Sequence, residues 1–209
     1  MSTPLGLVLM GFGGHARSVA DVALTAGYRQ LLFVDENAAD GELFLEFPVQ
    51  RSMPPPESHW VYMPCAGDNH RRHAQMRELI QKNLKVATII SPSATVGYGA
   101  TMAQGCFVGH HAHIGPLTRL GAGCIINTGA VVEHDCVLGE CSHVSVQSCV
   151  AGRSRLGDRV FVGAGSVVID KVSIVSDVIV GAGGVVVNSI DAVGVYVGVP
   201  VRRISSLNS

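Results

Sequence analysis

Aliphatic residues recur at every sixth position from Val96 to Val186 without a gap. A helix repeats its apolar face about every 3.6 residues and a strand every 2, so neither explains this spacing. A period of six is typical of a parallel β-helix built from hexapeptide repeats. The positions are Val96, Met102, Val108, Ile114, Leu120, Ile126, Val132, Leu138, Val144, Val150, Leu156, Val162, Val168, Ile174, Val180 and Val186.

Each hexapeptide is expected to form one short strand and one bend, so three of them close a triangular coil. Residues about eighteen apart then stack at roughly 4.8 Å, the usual distance between strands, and the series predicts about five coils. The small residue two positions before each aliphatic, such as Ala112 or Ser142, is expected near a corner. The glycine that often follows the aliphatic, such as Gly109 or Gly121, is expected to permit the tight bend.

The first ninety residues follow a different pattern, in which short apolar runs alternate with helical stretches. We predict strands at Leu5–Met10, Leu31–Val34 and Trp60–Met63, and helices over Ala16–Ala26 and His70–Lys82. This alternation indicates a small parallel sheet.

The fold class is therefore a Rossmann-like α/β subdomain followed by an all-β parallel β-helix. We divide the chain into an α/β domain over 1–90, a β-helix over 91–190 and a C-terminal tail over 191–209.

A glycine-rich turn follows the first predicted strand. Gly11, Gly13 and Ala16 match the pattern G-x-G-x-x-A, and Asp35 lies about twenty residues further on. This arrangement places a phosphate at a helix N-terminus and an acid near a ribose or base. Because ninety residues hold only half of a dinucleotide-binding fold, a single nucleotide is favoured. A nicotinamide-binding domain and a turn without any ligand are the alternatives.

Composition excludes several classes of function. The chain has 209 residues, 47% of them hydrophobic and 15% charged, with a net charge of −1. It is therefore globular, and the lack of a long basic run argues against nucleic acid as a partner. The short apolar start favours neither a signal peptide nor a membrane span. Six cysteines without a Cys-x-x-Cys pair argue against zinc and favour a reducing, cytoplasmic setting. The proline-rich residues 54–58 are expected to form a surface loop.

The combination of the two domains resembles the hexapeptide-repeat sugar O-/N-acetyltransferases of bacterial surface-glycan pathways. That family includes enzymes acting on nucleotide-linked 4-amino sugars and a sialic acid O-acetyltransferase branch. The resemblance implies a left-handed helix, a homotrimer, acetyl-CoA as co-substrate and no metal. It is carried by residues 11–15, 66–69, 127–136, 142–145 and 198–203.

The resemblance also implies the site residues for acetyl transfer, which requires a base and a group that holds the developing oxyanion. His134 matches the catalytic base, for which histidine is suited by its pKa, and Asp135 matches the acid that orients it. His143 and Asn127 are expected to line the acetyl-CoA site. The backbone N–H of Gly152, one coil beyond His134, is the expected contact to the thioester oxygen.

The remaining expectations concern the tail, a histidine cluster in the β-helix and the N-terminal domain. The tail is expected to close the CoA groove, with Arg202 and Arg203 available to the CoA phosphates. His110, His111 and His113 are expected to be polar surface or trimer-contact residues and not metal ligands. The nucleotide sugar is expected to bind through Gly11, Gly13, Gly14, His15, Asp35, Gly67 and Asn69.

These observations predict transfer of an acetyl group from acetyl-CoA to the amine of a nucleotide-linked amino sugar, by direct transfer with His134 as base. Two alternatives remain open: a sugar O-acetyltransferase of the sialic acid type and a noncatalytic hexapeptide scaffold. A homotrimer, with neither nucleic acid nor membrane as partner, completes the prediction.

Overall fold

The structure is a computed structural model that describes residues 6–55 and 59–205. The predicted start of the first strand at Leu5, part of the proline-rich loop (56–58) and the last four residues of the tail lie outside the described residues.

The N-terminal domain is a five-stranded sheet with two helices. Its strand order is β3-β4-β2-β1-β5, and all neighbours are parallel except β3 and β4. Each predicted strand and helix is found within two residues of its expected ends, whereas the β3–β4 hairpin was not predicted because both strands are short and without clear alternation. The elements are β1 (Gly6–Met10), α1 (Gly14–Thr25), β2 (Gln30–Val34), β3 (Leu43–Phe44), β4 (Phe47–Gln50), β5 (Trp60–Pro64) and α2 (Asn69–Gln81).

The β-helix is a three-sided prism of two-residue strands, and we name its faces by what they present outwards. The domain face, which packs on the N-terminal domain, consists of Ile89–Ile90, Phe107–Val108, Ile125–Ile126, His143–Val144, Phe161–Val162 and Val178–Val180. The apolar face consists of Thr95–Val96, His113–Ile114, Val131–Val132, Cys149–Val150, Val167–Val168 and Val185–Val186. The arginine face consists of Thr101–Met102, Arg119–Leu120, Val137–Leu138, Arg155–Leu156 and Ser173–Ile174.

The predicted stacking is confirmed, because each strand from Ile89–Ile90 to Val167–Val168 pairs in parallel with the residues eighteen positions further on. Ile114 pairs with Val132, for example, and Val144 with Val162. The second residue of each two-residue strand points inwards, and the aliphatic residues of the series from Val108 to Val186 form one continuous buried core. Val96, in the first coil, is 42% exposed. The first strand of the domain face, Ile89–Ile90, extends the stack one repeat before Val96.

The expected role of the repeat glycines was wrong. The left-handed backbone occurs three residues after each aliphatic, at Asp135 (φ 59°) and Arg153 (φ 64°) for example. The glycine directly after the aliphatic meets a different constraint, since a Cβ at Gly109 would lie 2.7 Å from the amide nitrogen of Thr128 in the next coil. Glycine is therefore needed there for the close approach of two coils, not for the bend.

The small residues near the corners do more than fit. The Ser142 hydroxyl donates to the Gly157 carbonyl at 2.7 Å, and the Cys124 thiol donates to the Gly139 carbonyl at 3.1 Å. Each bond joins a corner to the backbone of the next coil and so satisfies a carbonyl that would otherwise lack a partner. Serine, threonine and cysteine are thus used as corner donors.

A second apolar core, distinct from the core inside the prism, joins the two domains. Phe107 and Ile125 point outwards from the domain face and are fully buried among the N-terminal residues that α1 and the sheet contribute. His110 adds a polar contact, with Nδ1 2.7 Å from the Ser91 hydroxyl and Nε2 3.1 Å from an Asp21 carboxylate oxygen on α1. His110, which was expected to be a polar surface or trimer-contact residue, therefore also joins the two domains.

The tail forms a hairpin, Gly194–Gly198 and Val201–Ser205, that extends the domain face beyond Val178–Val180. A cis peptide bond precedes Pro200 at its turn. The hairpin thus continues the domain face at the C-terminal end of the prism.

Candidate active site

A cavity of about 950 Å³ opens at the carboxyl ends of β1, β2 and β5, between the N-termini of α1 and α2. This is the edge of a parallel sheet where ligands usually bind. The structure brings together here six of the seven residues predicted to bind the nucleotide sugar, namely Gly11, Gly13, Gly14, His15, Asp35 and Gly67.

The glycine turn leaves space at the start of α1. Gly11 has a φ of +113°, which favours glycine. A Cβ at Gly13 or Gly14 would meet nothing within 4 Å, so the helix N-terminus is open to the cavity. Neither a capping side chain nor an acidic residue occupies the first turn of α1. Its free amide groups and its dipole therefore favour an anion such as a phosphate.

Asp35 has a structural role beside the predicted one. One carboxylate oxygen accepts from the Phe12 amide at 2.9 Å, and the other accepts from the Asn37 amide at 3.0 Å. The acid thereby ties the glycine turn to the loop after β2. Asp35 lines the cavity, so the carboxylate lone pairs that these two bonds do not use are available to a ligand.

Asn69 is the predicted substrate residue that the structure does not bring into this cavity. Its side chain donates to the Arg159 carbonyl at 2.9 Å and accepts from Arg72 at 2.7 Å. Both contacts turn it towards the prism, where it is nearly buried. Asn69 therefore fastens the N-terminal domain to the β-helix.

A second group of predicted residues lies at the junction of the domains. The Asn127 side-chain amide contacts His143 Nε2 at 3.2 Å, which assigns the ring proton to Nδ1. His143 is 7% exposed, and its ring stacks edge-on with Phe161 at 5.0 Å. The His15 ring lies 6.2 Å from it, between the first turn of α1 and the domain face.

Both imidazoles of this junction are held neutral. Burial lowers the pKa of His143 to about 3 and that of His15 to about 3, and the nearby Arg72 cation adds to each shift. Within the part of the chain that the structure describes, His143 Nδ1 and His15 Nε2 are buried without a well-formed hydrogen bond, although a backbone contact to Gly67 acts against the lowering of the His143 pKa. A buried polar atom without a partner is costly, so these two nitrogens mark a place where a ligand can bind.

The third group lies at the corner between the apolar and arginine faces. His134 Nδ1 is 2.8 Å from an Asp135 carboxylate oxygen, and each side chain is 46% exposed. The contact directs the ring and leaves Nε2 with its lone pair, the form a general base requires. The ring lies directly over Gly152, where a Cβ would be 2.6 Å from Nε2. The absence of a side chain at Gly152 therefore leaves room for the His134 imidazole.

His134 and His143 do not meet within one chain. His134 follows the apolar face at one corner of the prism, whereas His143 lies on the domain face. Arg202 and Arg203 are exposed on the terminal hairpin, away from both. Within a single chain the predicted site residues therefore form two adjoining groups that share His15, a third group at His134, and the exposed tail.

Residues 6–55 and 59–205 offer neither a metal-binding cluster nor a membrane-spanning helix. They contain no group of three histidine, cysteine or acidic side chains placed to hold a metal ion. No helix in the same ranges is long and apolar enough to cross a membrane.

Sequence reasoning missed Arg72, which is completely buried beneath residues 66–69, the Gly67 loop. It shares the inner side of α2 with Met76 and Leu79, at positions i, i+4 and i+7. A charged residue at a core position of an amphipathic helix was the signal that could have identified it.

This fold and these groups define a hexapeptide-repeat acyltransferase. Residues 6–79 match the family described as PglD N-terminal domain. The acetyltransferase domain of PglB from Neisseria gonorrhoeae, in complex with acetyl coenzyme A, is similar with a TM-score of 0.89 and 29% identity, over 95% of this chain and 98% of that chain. PerB from Caulobacter crescentus, in complex with CoA and GDP-perosamine, has a TM-score of 0.84 and 32% identity, over 96% and 97%.

The chain therefore belongs to the hexapeptide-repeat, left-handed β-helix acetyltransferases that carry a PglD-type N-terminal domain. It is an acetyl-CoA-dependent N-acetyltransferase, so the predicted fold, enzyme class and co-substrate are confirmed.

Proposed function

We propose that this enzyme transfers the acetyl group of acetyl-CoA to the amine of a nucleotide-linked 4-amino sugar in bacterial surface-glycan biosynthesis, with His134 as general base. The observation that carries the proposal is the His134–Asp135 pair seated over Gly152. PerB, solved with CoA and GDP-perosamine, supports a nucleotide-linked amino sugar as acceptor.

The cavity at the N-termini of α1 and α2 binds the nucleotide in this proposal. Gly13 and Gly14 let the phosphates approach the amides of α1, and Asp35 holds that turn in place. The volume of about 950 Å³ is at the upper end of the range for small-molecule sites, as a nucleotide sugar requires.

The junction group fits the acyl donor. His143 carries its proton on Nδ1, which makes no well-formed hydrogen bond within the described residues, and Asn127 holds the ring in that tautomer. A neutral donor in a buried site is suited to a carbonyl oxygen of acetyl-CoA. The Gly152 amide is the proposed contact to the thioester oxygen, and Arg202 and Arg203 are the proposed contacts to the CoA phosphates.

The reaction is a direct transfer. The sugar nitrogen attacks the thioester carbonyl and forms the C–N bond, while its proton passes to His134 Nε2. The C–S bond breaks, and the electron pair leaves with the CoA sulfur, which is then protonated. Asp135 accepts a hydrogen bond from Nδ1–H of His134 and so stabilises the imidazolium that forms.

The separation of His134 from His143 supports a site completed between copies of the chain. The apolar face presents Val131, Cys149, Val167 and Val185 outwards in one stacked column. Such a column is suited to contact another subunit. We propose a closed homotrimer in which this face brings His134 of one copy to His143 of the next.

Mass spectrometry of products from acetyl-CoA and a panel of UDP-, GDP- and dTDP-linked amino sugars, beside free sialic acid, tests the function. One acetyl gained on one nucleotide-linked 4-amino sugar, with His134→Gln reducing turnover at least about 100-fold, is the expected result. Acetylation of sialic acid alone would refute the proposal in favour of O-acetyl transfer. An unaffected His134→Gln variant would refute the assigned base.

A further inference from the structure

Arg72 is the largest completely buried side chain among residues 6–55 and 59–205, and it contacts both domains. Its Nε donates to the Gly123 carbonyl at 2.7 Å, and Nη2 donates to the Cys141 carbonyl at 2.6 Å. Gly123 and Cys141 are corners of two successive coils, both with left-handed backbone. One guanidinium therefore binds the backbone of two stacked coils of the β-helix.

The same guanidinium holds the loop that borders the nucleotide cavity. Nη1 lies 3.0, 3.2 and 3.4 Å from three successive carbonyls, those of Ala66, Gly67 and Asp68. Nη2 also contacts the Asn69 side-chain oxygen at 2.7 Å. Every acceptor of Arg72 in this set is a neutral carbonyl group, so the cation is buried against oriented dipoles and not against a carboxylate.

Stability alone is a weak reason to bury such a cation. Removing an ion from water costs several kcal/mol in general, and well-packed apolar side chains at such positions are often as stable. The planar fork of arginine, in contrast, is suited to binding several oxygens at fixed angles. The arrangement therefore points to geometry as the property that Arg72 provides.

The Gly67 loop, residues 66–69, lies where that geometry matters. Gly67 lines the nucleotide cavity, and a Cβ on it would meet the His15 Cβ at 3.7 Å. His15 in turn faces His143. A shift of this loop relative to the β-helix would therefore change the distance between the sugar-binding cavity and the acyl-donor site.

We propose that Arg72 is a positioning residue for acetyl transfer, which locks the Gly67 loop to the coil corners at Gly123 and Cys141. The nucleotide sugar bound in the N-terminal domain is thereby held at one distance from the acyl donor on the β-helix. The inference rests on the function proposed above. It assigns Arg72 no contact with either substrate.

The charge of Arg72 has a second effect on the same region. It faces His15 and His143, whose pKa values it helps to lower after the larger effect of burial. Burial also lowers the pKa of Arg72 itself, against the opposing influence of Cys141, Cys124, Asp68 and Cys106. Loss of the cation is expected to raise the pKa of both imidazoles, whereas a loss of packing alone would not remove an electrostatic contribution.

The test compares Arg72→Lys and Arg72→Met with Arg77→Lys and Arg77→Met, which alter an exposed arginine of the same helix. For folded Arg72→Lys we expect kcat to fall about 100-fold, as a displacement near 1 Å produces, with KM for each substrate within about fivefold. Lysine keeps the charge but not the fork, so it should not restore kcat. Both Arg77 variants should match the wild type.

Histidine ring titration by NMR, with ¹³C-labelled histidine and His143→Gln for assignment, is the second readout. Arg72→Met should raise the pKa of His143, and Arg72→Lys should leave it nearly unchanged. The inference is overturned if the folded variants keep kcat within about threefold of wild type, or if neither variant folds, which would make Arg72 a stability residue. A wild type that acetylates no acceptor would refute the proposed function instead, and the titration would still test Arg72.

Discussion

Gly152→Ala is the substitution that most directly tests whether the position of the His134 ring over Gly152 matters for catalysis. A Cβ at this position would lie 2.6 Å from Nε2 and 2.7 Å from Cε1 of the imidazole. Ordinary van der Waals contact begins near 3.4 Å, so the ring must retreat by about 0.8 Å. The backbone of Gly152 is not left-handed, and alanine is therefore tolerated by the main chain itself.

The expected effect falls on the rate and not on stability. A misplacement near 1 Å costs about 100-fold in rate, which corresponds to about 2.7 kcal/mol of activation free energy. Because the His134 side chain is 46% exposed, it can turn into solvent, and the free energy of unfolding should change by less than about 0.5 kcal/mol. Steady-state kinetics and urea denaturation measure the two quantities.

A double-mutant cycle separates this explanation from others. In a His134→Ala background the alanine at position 152 has no ring to displace, so it should cost almost nothing further. If Gly152→Ala alone retained wild-type turnover, the position of the ring would not matter and the assignment of His134 as base would be refuted. Equal losses in both backgrounds would place the effect on the Gly152 backbone instead.

Three further predictions concern the orienting acid, the buried imidazoles and the apolar face. Asp135→Asn should lower kcat by at least about tenfold without raising KM for acetyl-CoA, because the amide lacks the negative charge that stabilises the His134 imidazolium and can turn an N–H group towards Nδ1; unchanged kcat would contradict this role. Since the pKa of His143 is lowered from 6.5 to about 3, its contribution to stability is present above pH 6.5 and is lost as the pH falls towards 3, which amounts to about 2 kcal/mol at pH 5. His15, whose pKa is also lowered to about 3, should add to this pH dependence of the free energy of unfolding. In urea denaturation, His143→Leu should lose less stability between pH 7.5 and pH 5 than the wild type does, and an equal loss would contradict the prediction. Val167→Arg places a charge on the apolar face and should convert the proposed trimer to monomers in analytical ultracentrifugation; a trimer that persists in this variant would show that this face is not the interface.

Much of the β-helix was predictable because its core repeats locally. The inward positions from Val96 to Val186 repeat every six residues, and that period alone requires residues eighteen apart to stack. The glycines were different, because the reason for Gly109 lies in the backbone of Thr128 one coil away. A periodic pattern reports where a residue recurs, but not which neighbour makes it necessary.

The candidate site was predictable residue by residue, but not as an arrangement. The pair His134–Asp135 is adjacent in sequence, and the spacing of eighteen residues to Gly152 follows from the coil length. Asn69 was predicted to bind substrate, yet its amide is used on the Arg159 carbonyl, ninety residues away. Contacts of that range depend on how the domains dock, which no local pattern encodes.

The sequence by itself determined the prism, the α/β domain before it and the chemical types of the groups in the site, because periodicity and glycine turns act over a few residues. Only the tertiary structure decided that the N-terminal domain covers one face, that His134 and His143 stand on different sides of the prism, and that Arg72 joins the Gly67 loop to two coils. The physical reason is that these relations arise from burial and hydrogen bonds between segments far apart in the chain, where the partner and not the residue's own neighbours sets the role.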